Sequence, residues 1–227
     1  MREKNKKAFI LAFVFAALFV LFTLSLKIVD VRVAGDDGQV VGFAMVNIAF
    51  HELTGVNMIW YHITDFFLYL SFAVCILFAV IGVVELVKRR SLDEVDKEIV
   101  CLGILYVLCA CIYILFEKVI INYRPVIIDG ELEASYPSTH TFLTLVIMIS
   151  AAMAVNSLLR SKALRLLISC TAGLISALAV FGRAVCGVHW FTDIVGALLL
   201  SAFLVTLYYA VTAKDKKRRE TRSELHF

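Results

Sequence analysis

The chain has 227 residues, of which 61% are hydrophobic and 18% are charged, and its formal net charge is +3. This composition excludes an ordinary soluble domain and predicts an all-α, polytopic integral membrane protein. A membrane-spanning helix needs about 20 mostly apolar residues. Six such runs are present, at about 8–26, 66–87, 99–121, 140–159, 164–182 and 191–212. We therefore predict a six-transmembrane-helix bundle within residues 1–213 and a basic tail at 214–227.

The first apolar run follows a basic segment, Arg2–Lys7, so a secretory signal peptide is the alternative to a retained helix. The run is longer than the roughly 7–15 apolar residues of a signal peptide. The segment after it, Leu26–Asp30, offers no small-residue cleavage site. We therefore predict that the first helix is retained.

Residues 28–64 form the longest connection between predicted spans. Gly35–Gly38 is a turn signal. The apolar and polar residues that follow it predict short amphipathic helices on the membrane surface above the site. Trp60 and Tyr61 suit the aromatic belt at the interface. Four polar residues also lie in or beside this segment: His51, Glu52, His62 and Asp65. We interpret them as solvated loop residues, because they lack the i, i+4 pairing of metal ligands on a helix.

The distribution of lysine and arginine predicts the orientation. With six spans, the N-terminal segment, the loops 88–98 and 160–163 and the C-terminal tail share one side, and they hold 16 of the 22 basic residues. Basic residues favour the cytoplasmic side, so both termini are predicted to be cytoplasmic and the protein to lie in the plasma (inner) membrane. The same bias explains the basic tail as a membrane-flanking segment, so we predict no nucleic-acid partner.

Ionisable and polar residues stand at the outer ends of four predicted spans. They are Arg124-Pro125, Pro137-Ser138-Thr139-His140 and Arg183-x5-His189-x3-Asp193. An ionisable residue is costly to place beside a bilayer, and its default interpretation is functional. Because all of these residues fall on the same predicted side, we predict one active site at the extracytoplasmic face.

The residue types in this set suit attack on a phosphate ester. His189 and Asp193 are four residues apart and are predicted to share a helix face. An aspartate beside a histidine fixes its tautomer and makes the opposite ring nitrogen a better nucleophile. His140 is then placed to act as general acid.

The other members of the set suit binding of the phosphate. The planar guanidinium groups of Arg124 and Arg183 match phosphate oxygens. Ser138 or Thr139 can cap the fourth span, whose free N–H groups form an anion site. The six cysteines include no CxxC pair, and we predict neither a cofactor nor a metal. Cys186, near Arg183 on the outer side, has no assigned role.

In these residues the chain resembles the type-2 phosphatidic acid phosphatase superfamily. The signature pieces of that family are Lys-x6-Arg-Pro, Pro-Ser-x-His and Ser-Arg-x5-His-x3-Asp, and the three motifs of this chain follow them in order and spacing over about 118–193. The resemblance implies a six-helix core and a covalent histidine mechanism. It also implies a lipid phosphate or diphosphate substrate, such as polyprenyl (undecaprenyl) diphosphate, phosphatidate or phosphatidylglycerol phosphate.

The chain departs from the family pattern at two positions. Glu117 stands where the first motif has its lysine, and Lys118 is only six residues before Arg124. Either Lys118 reaches the phosphate after a one-residue shift or the lysine contact is missing. Gly182 stands where the third motif has serine, so a hydroxyl contact to phosphate is lost.

These observations predict a metal-independent lipid phosphatase with His189 as nucleophile and His140 as acid. Two alternatives remain open. The departures from the pattern allow a non-catalytic lipid-phosphate binder or transporter on the same scaffold, although binding alone does not require His140 as a proton donor. A metal site of His140, His189 and Asp193 is disfavoured because neighbouring arginines would repel a cation.

Overall fold

The computed structural model of the protein describes residues 3–35, 38–128 and 130–213, so the predicted basic tail lies outside the described residues. Two short strands and seven α-helices follow one another in the order α1, β1, β2 and then α2 to α7. Their bounds are α1 Glu3–Ser25, β1 Arg32–Ala34, β2 Gln39–Val41, α2 Ala44–Thr54, α3 Met58–Arg89, α4 Lys97–Lys118, α5 Thr139–Leu158, α6 Lys162–Val185 and α7 Phe191–Thr212.

Six of these helices, all except α2, are long and apolar enough to cross a membrane. The predicted all-α membrane protein with six spans is therefore confirmed. Five spans lie within a few residues of their predicted bounds. The second, α3, begins at Met58 rather than near residue 66, because the Asn57 side chain caps it by accepting hydrogen bonds from the N–H groups of Ile59 and Trp60 at 3.1 and 3.2 Å.

Helix α5 lies at the centre of the bundle. In its most apolar stretch 67% of the residues are buried, against 11% in α1. It packs against α3, α4, α6 and α7, whereas α1 packs along α7. Apolar side chains such as Phe142 and Val146 of α5 and Leu200 and Leu204 of α7 form the core. Since α5 and α7 are the helices that begin at the second and third motifs, both motifs are anchored on the most buried elements of the fold.

The connection from α1 to α3 folds over the end of the bundle at which α5 and α7 begin. Strands β1 and β2 pair antiparallel, with Arg32 opposite Val41, and Gly38 donates its N–H to the Gly35 carbonyl at 3.2 Å, as the turn signal predicted. The two aspartates between these glycines lie outside the described residues. Helix α2 is the short helix expected here. Its Asn47 side chain bonds both the hydroxyl and the N–H of Thr192, at 3.0 and 3.1 Å, and so ties α2 to the start of α7.

The connection from α4 to α5 doubles back on itself. Tyr123 pairs with Ala134 in an antiparallel bridge, Arg124 donates its N–H to the Glu133 carbonyl, and Ser135 donates its N–H to the Asn122 carbonyl. This loop therefore carries Arg124 and Ser135 side by side to the end of the bundle where α5 and α7 begin.

Candidate active site

The residues of all three motifs meet at one end of the bundle. Arg124 comes from the loop after α4, Ser138 to His140 from the start of α5, Arg183 from the last turn of α6, and His189 and Asp193 from the start of α7. A backbone hydrogen bond from Ser138 N–H to the Asp193 carbonyl, 3.1 Å long, joins the starts of α5 and α7. His189, His140, Thr139 and Arg124 line one cavity.

His189 lies two residues before α7 rather than within it, so it does not share a helix face with Asp193 as the spacing predicted. Its Nδ1 is 3.8 Å from Asp193 Oδ2, too far for a hydrogen bond. The Ser135 hydroxyl lies between them: it is 3.0 Å from His189 Nδ1 and donates to Asp193 Oδ2. Ser135 is therefore a site residue that the sequence motifs did not indicate.

The hydrogen bonds around Asp193 determine the tautomer of His189. When Asp193 is ionised, its carboxylate can only accept hydrogen bonds, and it accepts from Trp190 N–H at 2.9 Å and from the Asn122 amide at 3.3 Å. The Ser135 proton is therefore directed to Asp193, and the Ser135 oxygen must accept from His189 Nδ1–H. This arrangement leaves the lone pair of His189 on Nε2.

The Nε2 atom of His189 is available for chemistry. The side chain is buried, with 3% of its surface exposed, and Nε2 has no hydrogen-bond partner among the described residues. Burial lowers the pKa of His189 well below its usual value, and the positive charges of Arg124 and Arg183 lower it further. The lowered pKa favours the neutral imidazole, and its Nε2 atom is without a partner among the described residues.

His140 and Arg183 share a partner that the sequence interpretation missed. Asp65, predicted to be a solvated loop residue, lies in the second turn of α3 and is half-buried. Its Oδ1 is 2.9 Å from His140 Nε2 and also accepts from Arg183 Nη2. The fully buried Arg183 guanidinium lies over the Tyr61 ring, 4.8 Å from its centre. The prediction for Asp65 was wrong because α3 begins earlier than the hydropathy indicated.

Gly182 allows this contact between α3 and α6. A Cβ atom at residue 182 would lie 2.5 Å from Thr64 Cγ2 and 2.9 Å from Trp60 Cε3. Real Cβ atoms do not approach other atoms so closely, so a serine here would force Thr64 and Trp60, or the helix that carries them, to shift. The departure from the third motif therefore has a packing reason: it lets the residues next to Gly182 and Thr64, which are Arg183 and Asp65, meet.

Both arginines retain unpaired donors. Arg124 Nη2 bonds Glu133 at 2.7 Å, but its Nε and Nη1 have no partner among the described residues. The Nε and Nη1 atoms of Arg183 are likewise buried without a partner there. A buried donor left unpaired costs about 1–3 kcal/mol. Four such N–H-bearing atoms near a neutral histidine make this end of the bundle suited to bind an anion.

The remaining predicted site residues are placed as follows. Ser138 is the N-cap residue of α5, but its hydroxyl lies 3.1 Å from the Thr141 hydroxyl instead of capping a backbone N–H. Lys118 is exposed at the end of α4, whereas its neighbour Glu117 lines the cavity. Cys186 is fully buried and its thiol donates to the Arg183 carbonyl at 3.3 Å, which helps to fix the end of α6.

The cavity extends from the motif residues into the bundle. Its volume is about 690 Å³. Beyond His189 and His140 it is lined mainly by apolar residues of α3, α4 and α5, among them Leu68, Phe72 and Leu143. The site thus combines a polar end suited to an anion with an apolar extension between membrane-spanning helices.

Comparison with known proteins shows the family to which the chain belongs. A family model described as the PAP2 superfamily matches residues 98–217, more than half of the chain. The chain belongs to the PAP2 superfamily. The fold of this PAP2 protein is similar to that of a transmembrane PAP2-type phosphatidylglycerolphosphate phosphatase from Bacillus subtilis, with a TM-score of 0.63 and 16% sequence identity over 91% of this chain and 98% of that chain. A search of curated protein sequences finds no match.

The PAP2 match contains every motif residue, from Arg124 to Asp193, but it excludes α3 and therefore Asp65. The metal alternative was a site of His140, His189 and Asp193. Within residues 3–35, 38–128 and 130–213, no three histidine, cysteine, aspartate or glutamate side chains are grouped so that they could hold a metal ion.

Proposed function

We propose that this PAP2 protein is a metal-independent lipid phosphatase, which hydrolyses a lipid phosphate or diphosphate at the extracytoplasmic face through a phosphohistidine intermediate. One observation carries the proposal. The buried His189, whose Nε2 has no partner among the described residues, lines the same cavity as Arg124, whose Nε and Nη1 also have no partner there. A binding site for an anion that also presents a free nucleophile suits phosphoryl transfer.

In the first step His189 Nε2 attacks phosphorus. The Nε2–P bond forms and the bond from phosphorus to the leaving oxygen breaks, while protonated His140 gives its proton to that oxygen. Asp65, 2.9 Å from His140 Nε2, favours the protonated ring that this transfer requires, against the effect of burial and of the two arginines. As His189 becomes cationic, the Ser135–Asp193 pair stabilises it through Nδ1, and Arg124 and Arg183 offset the charge on the phosphoryl oxygens.

In the second step a water molecule hydrolyses the phosphohistidine. Its oxygen bonds to phosphorus, its proton goes to the now neutral His140, and the P–Nε2 bond breaks. Phosphate and neutral His189 are released, and His140 is again protonated. The arginines stabilise the negative charge on the phosphoryl oxygens, which is the role of a divalent cation in other phosphatases.

The cavity and the charge bias support the lipid substrate and the face. The apolar part of the cavity between α3, α4 and α5 suits a lipid tail, while the phosphate occupies the polar end. The excess of basic residues at the opposite end of the bundle supports a cytoplasmic position for that end, with the protein in the plasma (inner) membrane. Candidate substrates are polyprenyl diphosphates, phosphatidate and phosphatidylglycerol phosphate. The similar protein from Bacillus subtilis is a phosphatase for the last of these.

The competing proposal is a lipid-phosphate binder or transporter without catalysis, and one observation favours it. Glu117 lines the cavity where the first motif of the family has its lysine, which removes a positive charge from the phosphate end. A binder would still need an anion site, but it would not need His140 or the free Nε2 of His189.

Phosphate release by the purified protein in detergent with EDTA, over a panel of lipid mono- and diphosphates, distinguishes the two proposals. We expect release from at least one lipid and a loss of at least about three orders of magnitude in His189→Ala. His62→Ala, which removes an exposed histidine of α3 outside the cavity, is the control and should keep activity. No release by folded wild-type protein, or release that persists in His189→Ala, would refute the phosphohistidine mechanism.

A further inference from the structure

The segment that carries His189 is held by a part of the chain outside the family match. Residues 41–57, which include α2, pack against the connection between α6 and α7. Before His189, Asn57 donates its N–H to the Cys186 carbonyl at 3.0 Å. After His189, the buried Trp190 ring packs in one apolar cluster with two residues of this segment, Val41 and Ala44. The connection is therefore contacted on both sides of the histidine.

Asn47 of α2 makes the most specific of these contacts. Its side chain is fully buried, and its Nδ2 donates to the Gly42 carbonyl at 2.8 Å and to the Thr192 hydroxyl at 3.0 Å. Its Oδ1 accepts from the N–H of Thr192 at 3.1 Å. A backbone carbonyl can only accept and a backbone N–H can only donate, so the two backbone contacts fix the orientation of the amide. Asn47 thus holds Thr192 by two hydrogen bonds.

The bond to the Thr192 N–H supplies a partner that α7 lacks at its start. Thr192 is the second residue of α7, and N–H groups in the first turn of a helix have no acceptor within the helix. The residue before the helix is Trp190, whose indole can only donate. Asn47 therefore supplies from another helix the side-chain acceptor that a serine or an aspartate at the N-cap position usually supplies.

The first turn of α7 connects Asn47 to the chemistry. Thr192 directly precedes Asp193, which reaches His189 through the Ser135 hydroxyl, 3.0 Å from Nδ1. Neither Asn47 nor Thr192 lines the cavity, so neither touches a substrate there. A misplacement of about 1 Å at a reacting group can cost about 10²-fold in rate. A shift of this turn would disturb the hydrogen bonds of the nucleophile, whereas both arginines come from other elements.

We propose, on the basis of the phosphatase function above, that Asn47 is a positioning residue for the nucleophile. Through Thr192 it fixes the first turn of α7, so that Asp193 and Ser135 keep the imidazole of His189 in its reactive orientation. It acts on the chemical step and not on binding of the phosphate. Helix α2 is then a working part of the active site, although the family match begins only at residue 98. A role in folding alone is the alternative.

Kinetics and hydrogen exchange of the purified full-length protein in detergent test the proposal. Asn47→Leu removes both hydrogen bonds to Thr192. Thr192→Val removes only the bond through the hydroxyl, and Thr192→Ser keeps that hydroxyl. Asn156→Leu is the matched control, because Asn156 also joins two helices, by a 2.8 Å bond to the Ser169 hydroxyl at the opposite end of the bundle. For each variant kcat, KM, the inhibition constant of inorganic phosphate and the thermal unfolding midpoint are measured.

We expect Asn47→Leu to lower kcat by about 10- to 100-fold, while KM and the inhibition constant of phosphate stay within about threefold of wild type. Exchange of the backbone amides at 187–193 should become faster. Thr192→Val should lose less activity, and Thr192→Ser should recover most of it. Asn156→Leu should lower the unfolding midpoint but leave kcat and the exchange at 187–193 unchanged.

A kcat within about threefold of wild type in folded Asn47→Leu would overturn the proposal, as would unchanged exchange at 187–193. An equal loss of kcat in Asn156→Leu, or a parallel loss of phosphate inhibition in Asn47→Leu, would also overturn it and assign Asn47 to folding. If Asn47→Leu does not fold, the difference between Thr192→Val and Thr192→Ser decides. If wild type hydrolyses no lipid of the panel, the phosphatase function is refuted, and the exchange at 187–193 then decides whether Asn47 holds the start of α7.

Discussion

Replacement of Ser135 by alanine tests how Asp193 acts on His189, the proposed nucleophile. In the structure the only link from His189 Nδ1 to Asp193 among the described residues passes through the Ser135 hydroxyl, because the two side chains are 3.8 Å apart. Ser135→Ala removes hydrogen bonds to an ionised group, and such bonds contribute about 1.5–3 kcal/mol each. Since 1.36 kcal/mol corresponds to tenfold in rate, we expect kcat to fall by about 10- to 150-fold.

The expected loss is in kcat rather than in KM, because Ser135 does not line the cavity that receives the substrate. Phosphate release in detergent at saturating lipid gives kcat, and the lipid dependence gives KM. Ser135→Thr keeps the hydroxyl and should recover part of the rate. Ser201→Ala is the matched control, because both serines are 2% exposed and Ser201 donates to the Phe142 carbonyl within the core, away from the cavity.

Retention of kcat within about threefold in Ser135→Ala would refute the reasoning, since the loss of even one hydrogen bond to a charged group exceeds that factor. It would mean that His189 and Asp193 close the gap and bond directly. A fall in kcat that Ser201→Ala reproduces would instead assign the effect to loss of a buried hydroxyl in general.

Two further predictions concern the charges around the histidines. Asp65→Asn keeps the shape of the side chain but removes the negative charge that His140 and Arg183 share. We therefore expect kcat to fall by about 10- to 100-fold. An unchanged kcat with a lower KM would instead show that Asp65 competes with phosphate for Arg183. Because His189 must be neutral to attack and its folded pKa is lowered, kcat/KM should stay high as pH falls through 6.5 and decline only below it. Two substrates with different phosphate pKa values separate titration of the enzyme from titration of the substrate. A loss of kcat/KM on acidification that begins at or above pH 6.5 with both substrates would contradict the lowered pKa of His189, whereas a loss on raising the pH is expected from deprotonation of the acid His140.

The motif residues could be predicted from the sequence for a simple physical reason. An apolar run leaves few places for charge, so Arg124, His140, Arg183 and His189 stand out at span ends. Their convergence also follows, since four span ends on one side of a small bundle are close together. The hydrogen bonds among them did not follow, because Ser135 lies in a loop whose path depends on the pairing of Tyr123 with Ala134.

The helical phase of α4 explains why Glu117, and not Lys118, faces the cavity. The residues of α4 that line the cavity are Tyr106, Cys109, Ala110, Tyr113 and Glu117. Their spacing of three and four residues follows one face of an α-helix. Lys118 is rotated by about 100° from that face. The first motif alone does not decide between Glu117 and Lys118. The cavity-lining face of α4 shows that Glu117 is the residue directed toward the site.

The second span was predicted to begin near residue 66, whereas α3 begins at Met58. The prediction was late because hydropathy is an average over a stretch of residues. The first turns of α3 carry His62, Thr64 and Asp65 among aromatic residues, which lowers the apparent apolar character of a segment that is nonetheless helical. The signal that could have extended the helix was Asn57, a favoured N-cap residue placed directly before it. An extended helix would have put Asp65 inside a span, where the default interpretation of an ionisable residue is functional.

The two features that the family pattern does not contain, Gly182 and Asp65, are connected by packing. Gly182 removes the side chain that would keep α6 away from Thr64 and Trp60 of α3. Close contact at Thr64 then brings the next residue, Asp65, to Arg183, the residue after Gly182. The serine hydroxyl lost from the third motif is therefore exchanged for a carboxylate that orients Arg183 and contacts His140. Because a Cβ atom at residue 182 would overlap Thr64 and Trp60, the two positions are coupled, and serine at 182 would force a shift next to the contact of Asp65 with Arg183.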